Sequence, residues 1–90
     1  MYVVEILRLF HHVDVRGKKK SVEEIHINRE IARRLREFRE RAGLTQEDIE
    51  DYGIHVRQYQ RLESGKQTPT IPTLIQLSKI LNVKLSDFFK

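Results

Sequence analysis

The stretch GLTQEDIEDYGIHVRQYQRLESGK, residues 43–66, decides how this chain folds. Gly43 suits the left-handed residue that ends a helix, and the oxygen of Thr45 can accept a backbone N–H from Glu47 or Asp48. A short helix therefore starts after Thr45, with two acids in its first turn, where the helix dipole favours them. Ile49 and Tyr52 are its apolar positions, and Gly53 breaks it. Ile54 packs, and a further short helix runs from His55 to about Ser64 with Tyr59 and Leu62 facing inward and Val56 as a third possible contact. Ser64, Gly65 and Lys66 close it.

Two helices this short do not stand alone and need bracing on both sides. Upstream, Ile27, Ile31, Leu35, Phe38 and Ala42 recur at spacings of four, four, three and four, one stripe of a long helix. Ser21 with Glu24 has the form of a capping box and Asn28 offers a second cap, so this helix begins at 22 or at 29. Downstream, Pro69 lies in a loop, Thr70 caps a fourth helix with Pro72 in its first turn, and Leu74, Leu77, Ile80 and Leu81 form its buried stripe. Ser86 is placed to cap a last short turn that buries Phe88 or Phe89. The expected class is all-α, with five helices from Asn28 to Phe89.

A pair of short helices joined by a glycine-containing turn and braced by longer ones is the helix-turn-helix scheme, in which the second short helix enters the major groove of DNA. Val56, Arg57, Gln60 and Arg61 form the outward face of that helix. Arginine pairs bidentately with guanine O6 and N7, glutamine with adenine N6 and N7, and a valine can touch a thymine methyl. Lys66, Gln67 and Thr68, just after the helix, are natural phosphate-contacting groups, as is Gln46 where backbone N–H groups point outward.

Composition narrows the field further. Ninety residues, 39% of them hydrophobic, make one small domain with a core and leave little room for an ordinary catalytic cleft. No cysteine is present, which removes disulfide and thiolate chemistry. No apolar run reaches the roughly 20 residues of a membrane span, and no signal peptide is recognisable, so the expected location is cytoplasmic with no membrane partner. Net charge is +4, and its distribution is uneven: residues 1–45 hold eleven Lys or Arg against seven acids, residues 46–90 six against six. The positive field comes from Lys18, Lys19, Lys20 and the arginines of 29–41.

Residues 43–49, 53–55 and 59–66, with Pro69, Leu74, Leu77, Leu81 and Val83 beyond them, resemble the phage-repressor and Cro class of helix-turn-helix domains, the xenobiotic-response-element-like and lambda-repressor-like proteins. The likeness covers about 60 of the 90 residues. It implies a regulator that binds double-stranded DNA, with Val56 and Arg57 at the leading base-contacting positions and Arg61 a turn later. It also implies that Gln46 holds a phosphate and braces the reading helix, that Lys66 lies near the DNA backbone, and that Arg39 and Glu63 form a salt bridge between the first and third helices. His55, in place of the usual serine or threonine cap, is a solvent-facing helix start or a phosphate contact. Two departures stand out. Gln46 to Gly53 is seven residues, one fewer than the family spacing, and Glu50 replaces a small residue, commonly alanine. Both bear on the angle between the two short helices.

Other chemistries find little footing. His11 and His12 are adjacent and point to opposite sides of an extended chain, so no metal site is expected; nor is a cofactor or a catalytic group, and the chain does not read as an enzyme. The rival reading is a protein-interaction module, an antitoxin or adaptor, because Glu47, Asp48, Glu50 and Asp51 make the second helix acidic. Residues 1–20 form an N-terminal extension to the DNA-binding domain of 21–90. Within it Tyr2–Phe10 has the β-branched content of a strand, and a β-arm that pairs with its twin in a homodimer is the reading offered for it. Val83–Phe89 is an alternative dimer seam.

Overall fold

The computed structural model describes residues 21–90, which form four α-helices and a closing 3-10 turn. The possible strand at Tyr2–Phe10, the β-arm and the basic linker lie outside the described residues. Helix α1 is Val22–Arg41. Its start is settled in favour of Ser21, whose extended backbone and Oγ, accepting from Glu24 N–H at 3.0 Å, make it the N-cap. Asn28 is no cap: it is fully buried within the helix, and neither amide atom of its side chain has a hydrogen-bond partner among the described residues. At the far end Gly43 turns at φ +73°, Gly43 N–H donates to the Glu40 carbonyl and Leu44 N–H to the Arg39 carbonyl. These are the two bonds that close a helix around a left-handed residue.

Helix α2, Gln46–Glu50, is a little over one turn long and depends on its ends. The Thr45 hydroxyl accepts from Asp48 N–H at 3.1 Å while the Asp48 carboxylate accepts from Thr45 N–H at 2.8 Å. Without the Thr45 hydroxyl the Asp48 N–H loses its partner, and one half of the reciprocal cap is gone. Thr45→Ala is expected to lower stability by about 1 kcal/mol, which at roughly 4–8 °C per kcal/mol is visible in a thermal melt followed by circular dichroism. An unchanged melting temperature would show that α2 is held by Ile49 alone.

The shortened turn closes by tightening. After α2, Asp51, Tyr52 and Gly53 each donate to the carbonyl three residues back, at 3.2, 3.0 and 3.0 Å, so fewer residues are used per turn than in an α-helix. Gly53 then reverses at φ +100°, Ile54 plugs the core, and α3 begins: Val56–Glu63. Tyr52, expected to pack, is instead 54% exposed, because the tight turn carries it past the core edge where Ile49 is fully buried.

Helix α4, Ile71–Leu81, starts at Thr70, whose hydroxyl accepts from Thr73 N–H, and ends at Asn82 in the left-handed conformation. The expected fifth helix is a 3-10 turn, Leu85–Phe89. Ser86 does not cap it; the Asp87 carboxylate does, accepting from Lys84 N–H at 3.0 Å. Both Phe88 and Phe89 are buried, and Phe88 meets Phe38 edge-on at 5.6 Å. The core is one cluster in which Ile27, Ile31, Leu35 and Phe38 of α1 meet Ile49, Ile54, Tyr59, Leu62, Leu74, Leu77 and Leu81. Ala42 caps α1 in solvent and drops out of its stripe, while Ile80 is half-buried and packs against the edge of the core.

Candidate nucleic-acid interface

Helix α3 divides cleanly by face. Tyr59, Leu62 and Glu63 are buried, while Arg57, Gln58, Gln60 and Arg61 are exposed and Val56 is half-buried. Positions 57, 60 and 61 share one side of a helix by the i, i+3, i+4 rule. Among the described residues, neither the Arg57 nor the Arg61 guanidinium has an ion pair or a side-chain hydrogen bond. No other described residue uses any of the donors in either fork.

What fixes this helix to the body is a buried carboxylate. Arg39 donates from Nε and a terminal nitrogen to the two oxygens of Glu63, both at 2.8 Å, and its second terminal nitrogen donates to the Leu44 carbonyl at 2.9 Å. The Glu63 side chain is 1% exposed and that of Arg39 14%. Gln46 Nε2 donates to Glu63 at 3.2 Å, and Arg36 Nε lies 3.5 Å from the same oxygen. Burial on its own would raise the Glu63 carboxyl, but the hydrogen bonds from Arg39 and Gln46, with the Arg39 charge, outweigh it and hold the group below its ordinary value of 4.5. Burial, with the Glu63 carboxylate beside it, pushes the Tyr59 phenol up, so that hydroxyl stays protonated and a donor.

The network continues outward. Gln46 Oε1 accepts from Gln60 Nε2 at 3.2 Å, so Arg39, Glu63, Gln46 and Gln60 run from the core to the exposed face of α3 through α1, α2 and α3. Of the residues expected at phosphates, Gln46 thus sits half-buried at the junction. His55 is exposed and caps α3, its Nδ1 accepting from Arg57 N–H at 3.1 Å while Nε2 lies 3.8 Å from Glu50. Gln67 and Thr68 are half-buried, and the Thr68 hydroxyl donates to Glu24 of α1 at 3.1 Å, which ties that loop to α1. Lys66 is exposed, its N–H closing α3 on the Arg61 carbonyl.

The sequence does not show what Glu50 does. Its carboxylate accepts from Val56 N–H at 3.4 Å, so the residue that replaces a small one in the family reaches across the short turn to the N-terminus of α3. With His55 it satisfies two of the backbone donors that a helix start leaves open. The spacing alone, an acid six residues before the helix, carries no recognisable signature.

The fold and this face together define a helix-turn-helix protein. Residues 35–88 match the family described as helix-turn-helix, and the chain belongs to it. It is similar to an uncharacterized HTH-type transcriptional regulator of Archaeoglobus fulgidus, 32% identical over 57 residues that make up 62% of this chain and 81% of that protein. The family points to DNA-binding regulation as the general function. Among the described residues no cluster of three His, Cys, Asp or Glu could hold a metal ion, and no helix is long and apolar enough to cross a membrane.

Proposed function

We propose that this protein is a sequence-specific, double-stranded DNA-binding transcription regulator of the phage-repressor and Cro type, acting in the cytoplasm as a homodimeric repressor on an inverted-repeat operator. In this reading α3 lies in the major groove with Arg57 and Arg61 on guanines, Gln60 beside them and Val56 at a neighbouring base edge. Gln46, His55, Lys66, Gln67 and Thr68 flank the DNA backbone. The observation that carries it is the pair of exposed guanidiniums, without an ion pair or side-chain hydrogen bond among the described residues, on a helix whose opposite face is clamped to the body through Glu63. A side chain presented on a fixed frame discriminates between bases; one on a loose frame contributes mainly charge. The similarity to an HTH-type transcriptional regulator of Archaeoglobus agrees with this class.

The acidity in and just after α2, the main support for a partner-binding module, has a local purpose for two of the four acids Glu47, Asp48, Glu50 and Asp51. Asp48 completes the α2 cap and Glu50 caps α3. The decisive experiment is selection of binding sites from random duplexes, followed by binding at several salt concentrations. An enriched inverted repeat is expected, with half-site centres one helical turn, roughly 34 Å, apart. Affinity should fall with salt at a logarithmic slope of about −0.9 per phosphate neutralised. A folded protein that enriches no motif and shows no salt-dependent duplex affinity would turn the assignment to an antitoxin or adaptor that binds protein instead.

A further inference from the structure

Beside the C-terminal end of α3, a cleft of about 250 Å³ opens between that helix and α1. Its walls are Arg29, Ala32, Arg33 and Arg36 of α1 with Glu63 and Ser64 of α3. The three arginines stand at i, i+4 and i+7, one stripe of α1 about 10 Å long. We propose that this cleft is a second phosphate-binding site, which grips the DNA backbone beyond the bases that α3 reads. The inference rests on the DNA-binding assignment and extends it to residues the helix-turn-helix match does not include: that match begins at residue 35, and Arg29 and Arg33 precede it.

The charge balance of the cleft favours an anion. Glu63 is the one acid in its wall, and that carboxylate is already taken by Arg39 at 2.8 Å. Arg29 has no ion pair or side-chain hydrogen bond among the described residues. Arg33 is held by Glu30 at 3.1 Å and Glu37 at 2.8 Å, but these pairs are about half exposed, and pairs of that kind are worth little and exchange readily for a phosphate. Arg36 is 63% exposed.

Position selects DNA as the source of the phosphate. Eight residues carry α3 about 12 Å, the width of the major groove, so a helix that presents its N-terminal residues to the bases brings its C-terminal end to the flanking backbone. Ser64, at that end, is a wall of the cleft. The cleft is also continuous with the reading face, since Glu63 contacts both Arg36 in its wall and Gln46 outside it.

The test uses the full chain and the double variant Arg29→Gln/Arg33→Gln, with Arg29→Lys/Arg33→Lys as the charge-keeping control. Binding is measured against salt on the selected duplex and on a 30-base-pair duplex of random sequence, and phosphate ethylation maps the backbone contacts. The Gln variant should lose about one unit of salt slope per arginine and the ethylation interference outside the half-site, with base preference unchanged. The Lys variant should keep the slope. Wild type that binds the duplex with the same slope and interference as the Gln variant overturns the cleft alone. So does a Gln variant with a lower melting temperature and unchanged DNA contacts, which would assign the arginines to the C-terminus of α3. Lost affinity for polyglutamate without lost duplex slope would assign the cleft to an acidic protein and overturn it. Wild type that binds no duplex overturns both this site and the DNA-binding reading.

Discussion

Arg39→Ala should cost about 3–5 kcal/mol of folding stability, the largest loss expected from any single surface-reaching side chain in this domain. The reason lies in what remains. Glu63 would keep its position, 1% exposed, with its two short charge-assisted hydrogen bonds removed. Gln46 at 3.2 Å and Arg36 at 3.5 Å would compensate in part, which places the value toward the lower end of the range. Urea unfolding measures it directly, and a loss under 1 kcal/mol would mean that Glu63 escapes to solvent when its partner is removed. The same carboxylate sets an acid limb. Its pKa in the folded protein is held below the ordinary 4.5, so its contribution is fully present above pH 4.5 and is lost as pH falls from there through the depressed folded value. Glu63→Gln should flatten that limb while costing stability at neutral pH. An unchanged acid limb in the Gln variant would assign the loss to other carboxylates.

Most of this fold was legible because it is written in local rules. The stripe from Ile27 to Phe38, the cap at Thr45, the reversal at Gly43 and the inward pair Tyr59 and Leu62 each follow from periodicity or from a hydroxyl at a helix start. What was not legible depends on the path of the chain between elements. Tyr52 has the right spacing to follow Ile49 into the core, and the 3-10 bonds of the short turn rotate it out. Ser86 and Asp87 are both good cap formers, and only the actual start at Leu85 decides for Asp87. The burial of Glu63 is the sharpest case. A glutamate beside Leu62 on an eight-residue helix reads as a surface residue, and its pairing with Arg39, 24 positions earlier, came from likeness to a family and from no local pattern. The bond from Gln46 to Gln60 is hidden for the same reason, since it needs α2 and α3 already docked.

That docking makes the second large prediction specific. Arg57→Ala and Arg61→Ala should each remove one bidentate base contact, worth about 1–3 kcal/mol of discrimination, and together about 2–6 kcal/mol, on the order of 30-fold to 10⁴-fold in affinity for the selected site. The two side chains leave α3 one turn apart, about 6 Å along its axis, while successive bases of a strand rise about 3.4 Å. The guanines they read should therefore lie about two base pairs apart within one half-site. Selection repeated with each variant should lose one guanine and retain the rest of the motif, because His55, Gln46 and the Glu63 clamp still hold the helix. Arg57→Lys should behave more like Ala than like wild type at that position, since an ammonium reproduces the charge and not the fork. Gln60→Ala should do less than either arginine change, because part of its amide is committed to Gln46. If both arginine variants enrich the same motif as the wild type, with affinity lowered equally on every sequence, the two guanidiniums contact phosphates, and base reading must come from Val56 and Gln60 or from the shape of the duplex.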